Sequence, residues 1–404
     1  MTVEATIAPP PSLDWDPYDE QVLANPYPFF EALRETAPVV FIPKYGIYAV
    51  GRHDEVTTVL RDYERFTSES GVGIADARKP GANARPRSAL LEVDPPQHTR
   101  VRSVVRKIMS PGIVRQWKDA FTQEAGRFLD RLLAERTTFD GVEDLAEAFI
   151  MTAFPLAVGV RLEKEATKAI GFMVFNQTGP QNALWHAGMA VGAPYLDWFE
   201  QSCQRESVVP GSLADQIFQA EDEGLLEAGV ASNIIRSFVR GGTDTTIAGL
   251  GFLLNQFAAH ADQWELLKSN PGKLKMAYDE AVRFESPFHV TYRATAKDCE
   301  LSGYALEFDR KVAVFPGAAN RDPRKWDQPD RFDLNRQVAG MHMSFGTADH
   351  NCVGQMIARL EAECLVGALL ERIDRLELAG EPRYRLLNQV HTLDTLPLRV
   401  TLKA

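Results

Sequence analysis

Cys352 stands in the run Ser344-Phe345-Gly346-Thr347-Ala348-Asp349-His350-Asn351-Cys352-Val353-Gly354, two residues after a histidine and two before a glycine. A thiolate so placed is a metal ligand, and Gly354 lets a flat group approach the backbone closely. From Gln355 the chain reads QMIARLEAECLVGALLERI, apolar at helical spacing. The cysteine therefore precedes a helix N-terminus, whose amides and dipole favour the charged sulfur. A lone cysteine ahead of a helix is more often structural, so the motif stands only with partners elsewhere.

Two partners precede it. Glu280 and Arg283 lie three apart in the helical stretch LKMAYDEAVRF, where an ordinary exposed ion pair is the competing reading. Arg240-Gly241-Gly242-Thr243-Asp244-Thr245-Thr246 interrupts the apolar residues 234–257. Two glycines inside a buried helix cost ~1 kcal/mol each, which points to a local opening for a small guest; a kink with solvent-facing polar groups is the alternative. Thr245 and Asp244 set a hydroxyl beside a carboxylate at this step. Thr245 is also the kind of residue that back-bonds its own helix.

Taken in order, the three elements resemble a cytochrome P450 over residues 16–404. The resemblance implies a mainly α fold with small β-sheets, a helix-rich haem domain with a smaller β-rich region. The Pro-rich residues 1–12 read as a flexible tail, and the resemblance implies one haem-thiolate monooxygenase domain at 13–404. It makes Cys352 the axial ligand of haem b, with Asp244 and Thr245 catalytic and O2 as co-substrate. It places His98, Arg102, Arg293, His342 and His350 at the haem propionates. Glu280 and Arg283 become a buried network behind the haem. One departure is Ala348, where the family has glycine; if the site needs positive φ, alanine strains the turn by ~1 kcal/mol.

A closer resemblance, to the bacterial 4-methoxybenzoate O-demethylases, rests on ARPRSALLEVDPP, FNQTGP, IIRSFVRGGTDTT, AVRFESP and ANRDPRKWDQPDR. It implies that Arg85, Ser88 and Ser237 hold a carboxylate, with Arg236 assisting; a solvated loop is the competing reading for Arg85 and Arg87. Ser237, Gly241, Asp244 and Thr245 follow i, i+4, i+7, i+8, and Ser237 lies about 12 Å along the axis from Thr245. Gly241 leaves room there for a flat ring. Phe175 matches an aromatic wall and Phe288 adds volume, while Thr178 and Thr291 stand where that group often has phenylalanine. The expected reaction is oxidative O-demethylation or hydroxylation of a para-substituted benzoic acid, releasing formaldehyde and a phenolic acid. Electrons are expected from NAD(P)H through a reductase and ferredoxin, with Arg100, Arg106 and Lys107 as a docking face. The alternatives are oxidation of another small molecule (a methoxyphenol, terpenoid or fatty acid) and a non-catalytic haem sensor.

Composition agrees. The chain has 404 residues, and 44 basic against 55 acidic side chains give −11, which argues against nucleic acid. No long apolar run spans a membrane and the first residues lack an export pattern, so a cytoplasmic location is expected. Cys203, Cys299, Cys352 and Cys364 show no paired spacing for a disulfide framework. The remaining elements expected are a hairpin at 39–42 and 47–50, helices over 96–284 broken near 178–181 and 208–212, a loop at 71–86, and strands at 289–315 and 393–402.

Overall fold

The computed structural model describes residues 7–80, 86–338 and 340–404. Seven helices build the site: α1 (Gln97–Ile108), α2 (Lys164–Gln177), α3 (Leu196–Ser202), α4 (Val230–Gly242), α5 (Asp244–Ala259), α6 (Leu274–Glu285) and α7 (Gln355–Arg372). The strands are β1 (Val40–Ile42), β2 (Ile47–Val50), β3 (Phe66–Thr67), β4 (Thr138–Asp140), β5 (Thr291–Thr295), β6 (Cys299–Leu301), β7 (Tyr304–Leu306), β8 (Lys311–Val314), β9 (Ile373–Leu378), β10 (Arg383–Arg385), β11 (Thr392–Thr395) and β12 (Pro397–Leu402).

The sequence of α5, DTTIAGLGFLLNQFAA, is apolar on nearly every side, so it can only be buried. It runs through the main core, packed on α6, β9 and β11. By contrast α1 is amphipathic, and His98, Val101, Arg102 and Val105 form its buried stripe. His98 and Arg102 thus share the buried face of α1.

The expected hairpin forms, with Ile42 opposite Ile47. Its strands join β8, β5 and β3 in a five-stranded sheet of order β1-β2-β8-β5-β3, in which β2 and β8 run parallel. Two smaller apolar clusters draw on its strands, one including Val40, Ala49 and Ala313, the other Val39, Tyr48 and Val314. The helical region breaks where expected, but β4 and a wide helical turn at Gly141–Glu147 interrupt it as well. The helix after Cys352 stops at Arg372, and Ile373 already belongs to β9. Part of the expected N-terminal tail is pinned, since Ala8 bridges Tyr304 and Ser12 bridges Phe41. No helix among the described residues is long and apolar enough to cross a membrane.

Candidate active site

A bend in the 344–354 loop delivers the thiol. Gly346 (φ 65°) and Ala348 (φ 56°) both adopt left-handed backbone, so the alanine sits at a position requiring positive φ. The Cys352 amide donates to the Phe345 carbonyl at 2.7 Å, closing the loop. Cys352 is itself exposed, into a cavity that it lines together with Gly354. Burial pushes its thiol pKa up, and the amides of Gly354 and Gln355 with the Arg102 and Arg359 guanidiniums oppose that shift. The helix-terminus effect expected from sequence is present, but burial outweighs it.

Around the sulfur lies a surplus of basic groups. Arg102, Arg293 and His350 line the same cavity, and the His98 ring packs 4.1 Å from that of His350. Arg102 donates to the Asn351 carbonyl and Arg293 to that of Tyr292. His98 Nε2, Arg102 Nε and His350 Nδ1 are buried without hydrogen-bond partners among the described residues. Burial lowers the His98 and Arg102 pKa values and brings Arg293 to about 10. His350 is pushed far down by burial, then by Arg293, His98 and Arg102. Such a cluster calls for a buried anion. A haem fits: its iron would take the Cys352 sulfur, and its two propionates would fall among His98, Arg102, Arg293 and His350. His342 corrects the sequence expectation. It does not line the cavity; its Nε2 lies 3.1 Å from Asp279 Oδ1, a partner on α6 that also binds Arg359.

Glu280 and Arg283 are no surface pair. Both are fully buried, with Arg283 Nε 2.7 Å from Glu280 Oε2. Arg283 also donates to the carbonyls of Asn320, Pro329 and Arg331, and Arg336 to Glu280. This network ties α6 to the segment leading into the cysteine loop.

Across the cavity, Ser237, Gly241 and Thr245 face inward as expected. The Thr245 hydroxyl donates to the Gly241 carbonyl at 2.6 Å, so it back-bonds its helix and lines the cavity at once. Asp244 parts company with them. Helix α4 ends at Gly242 and α5 begins at Asp244, with Thr243 between them. The Asp244 carboxylate is absent from the cavity wall and lies against α2, where a Cβ on Gly171 would meet it at 2.4 Å. Burial raises its pKa to about 6.

In the same cavity wall, the Ser88 and Ser237 hydroxyls meet at 2.9 Å. Ser88 Oγ accepts from the amides of Leu90 and Leu91. Phe175 and Phe288 form an edge-to-face pair at 6.3 Å, and they line the cavity with Thr291. Arg85 lies outside the described residues. Arg236 leaves the cavity and pairs with Glu200 on α3. Thr178 leaves it too: its carbonyl accepts from the Ile74 amide at 2.9 Å, seating the 71–86 loop. Arg87 spends its guanidinium on the Glu69 and Glu92 carbonyls.

Sequence reasoning missed the residues that fix Ser88 in place. Asn233 Oδ1 accepts from the Ala89 amide and its Nδ2 donates to the Arg87 carbonyl, both at 2.8 Å. Glu92, fully buried, accepts from Ser88 N at 2.8 Å and Val72 N at 3.2 Å, bridging the two ends of the loop. Lys311 holds the Ser70 and Gly71 carbonyls at 3.0 Å each. Asn233 was within reach of the sequence, one turn before Ser237 on the same face; Glu92 and Lys311 carried no local signal.

The comparisons agree with this geometry. The family profile described as Cytochrome P450 matches residues 273–390. The chain is 39% identical over 392 residues to Cytochrome p450 CYP199A2 of Rhodopseudomonas palustris, covering 97% of this chain and 95% of that protein. It is 29% identical over 365 residues to Cytochrome P450 107B1 of Saccharopolyspora erythraea, covering 87% and 89%. The solved cytochrome P450 CYP109Q5 from Chondromyces apiculatus superposes with a TM-score of 0.79 at 27% identity, covering 96% of this chain and 99% of that one. At 39% identity over nearly the whole of both chains, the chain belongs to the cytochrome P450 family of haem-dependent monooxygenases.

Proposed function

We propose that the protein oxidises para-substituted benzoic acids, with 4-methoxybenzoate O-demethylation as the representative reaction. One observation carries the reading: two hydroxyls, Ser88 and Ser237, meet in the wall of the cavity that Cys352 and Thr245 also line. A cavity with one polar end and one reactive end orders an amphipathic ring by its polar group.

Ser88 Oγ already accepts two amide protons, which leaves its own proton to donate to a substrate carboxylate. Ser237 Oγ rests on the Asn233 carbonyl at 3.1 Å and turns to make a second such bond. Phe175 and Phe288 hold the ring edge and face, and Gly241, without a side chain, leaves room for it beside the helix. Haem bound to Cys352 supplies the reductive activation of dioxygen and the C–H oxidation. Thr245 passes protons toward the reacting oxygen through its hydroxyl. Asp244, outside the wall with a pKa near 6, exchanges protons with solvent behind it. The sum balances as ArOCH3 + O2 + 2H+ + 2e− giving ArOH + CH2O + H2O, the hemiacetal collapsing to phenol and formaldehyde. The electrons come from NAD(P)H by a reductase and a ferredoxin, for which Arg100, Arg106 and Lys107 on the exposed side of α1 offer a basic face.

A titration tests this: the ferric spin shift with para- and meta-substituted benzoates and their neutral phenol counterparts. The expected result is a shift with 4-methoxybenzoate and little with 4-methoxyphenol. A shift with neutral or aliphatic ligands only would reassign the substrate.

A further inference from the structure

One polar side chain in the cavity wall takes no part in the site described so far. Gln389 lines the cavity together with Val72, Pro287 and Phe288, and it is only 4% exposed. Its Nε2 donates to the Val72 carbonyl at 3.2 Å, the long limit of a normal bond. This side chain makes no other hydrogen bond among the described residues, so Oε1 and one amide proton are unpaired. A buried amide left half-used costs stability unless a further partner arrives.

The backbone around Gln389 gives the amide no freedom to find that partner elsewhere. Asn388, fully buried, donates from its backbone nitrogen to Asn176 Oδ1 and from Nδ2 to the Asn176 carbonyl, both at 3.0 Å. Asn388 and Asn182 also exchange side-chain amide bonds. On the other side, the Gln389 carbonyl accepts from the His289 amide and the Pro287 carbonyl from the His391 amide, each at 2.8 Å. Val390 bridges Phe288. Gln389 is therefore fixed between the end of α2 and the Phe288 segment. A fixed polar group in a largely apolar wall orients whatever binds against it.

We infer that Gln389 sets specificity at the meta position of the substrate ring, where it holds a hydroxyl by donating from Nε2 and accepting at Oε1. This rests on the benzoate reading and deepens it: the favoured substrate is a para-substituted benzoate that also carries a meta hydroxyl. A ring held by its carboxylate, with its para group toward Cys352, offers only ortho and meta carbons to the rest of the wall. An ortho hydroxyl is spent on its own carboxylate, so the meta position is the one that brings a free hydroxyl to Gln389. A hydroxyl both donates and accepts, which matches the two groups that Gln389 leaves open. Thr291, a short polar side chain in the same wall, is the competing partner.

The experiment is a spin-shift titration of the haem-loaded protein with 4-methoxybenzoate, 3-hydroxy-4-methoxybenzoate and 3-methyl-4-methoxybenzoate. Hydroxyl and methyl are close in size, so the ratio of their Kd values reads the hydrogen bond and not the space. Wild type should bind the hydroxyl compound about fivefold tighter than the methyl one, the worth of one buried hydrogen bond. Gln389→Leu and Gln389→Met should abolish that preference while changing the Kd of 4-methoxybenzoate by less than about threefold. Thr291→Val should keep it. The inference is overturned, with the benzoate reading still standing, by no hydroxyl preference in wild type or by an equal loss of all three ligands in both Gln389 variants. The equal loss would make Gln389 a clasp on Val72 and nothing more. A preference lost in Thr291→Val and kept in Gln389→Leu would overturn it as well. If no para-substituted benzoate shifts wild type, the functional reading fails and this inference with it. Gln389→Met keeps the length of the side chain and guards against a packing defect in the leucine variant.

Discussion

Thr245 has one hydroxyl proton and gives it to the Gly241 carbonyl at rest. Replacing it with alanine removes a proton carrier from the wall but little packing. Thr245→Ala should therefore consume electrons at a similar rate while product per electron falls several-fold and peroxide rises; unchanged product per electron would remove Thr245 from the relay. Asp244 makes a prediction in pH. An acid raised from 3.8 to about 6 on folding holds its proton more tightly in the native state. Stability then declines as pH climbs from about 4 to about 6 and is level above, because the unfolded chain releases that proton first. The melting-temperature difference between Asp244→Asn and wild type should grow across that window and flatten beyond it. A constant difference would mean that the carboxylate is not perturbed. Ala348 is simpler: with φ at 56° it stores strain that glycine would not. Ala348→Gly should stabilise the protein by about 1 kcal/mol in denaturant unfolding, offset in part by the freer unfolded chain.

Among the elements, the 86–92 segment and α4 behave as one unit. Asn233 bonds both sides of Ser88 in sequence, through the Arg87 carbonyl and the Ala89 amide. Asn233→Ala should weaken binding of 4-methoxybenzoate and its methyl ester alike, since it disturbs position rather than charge, and should speed Ala89 amide exchange by about tenfold or more. Unchanged exchange would show the segment to be held by Glu92 alone. This level also shows where the sequence was legible. Ser237, Gly241 and Thr245 follow one helical period, and Ser88 lies in a motif beside them, so local spacing was enough. Asp244, next to Thr245, instead turns its carboxylate toward α2 and is absent from the wall. Arg236, Thr178 and His342 were misplaced because their partners, Glu200, Ile74 and Asp279, lie far off in sequence. Arg240 was read as part of a motif and not as a side chain in the wall. Which way a long side chain turns is settled by tertiary neighbours that spacing does not reveal.

Over the whole molecule, the ordered set of Thr245 groove, Glu280–Arg283 and Cys352 loop was readable, since each is short and their order is fixed along the chain. The sheet order and the burial of Glu280 and Arg283 were not, because both depend on strands and carbonyls brought together from distant segments. Thiol, basic side chains and paired hydroxyls line one cavity in the assembled chain, and we read it as polarised, with the thiol at one end and the hydroxyls at the other. That polarity is the central claim, and product analysis in a reconstituted ferredoxin system reads it most directly. With 4-methoxybenzoate, formaldehyde and 4-hydroxybenzoate should appear in equal amounts, faster than any product from neutral 4-methoxyphenol. Faster demethylation of the neutral phenol, or no formaldehyde from the acid, would contradict it.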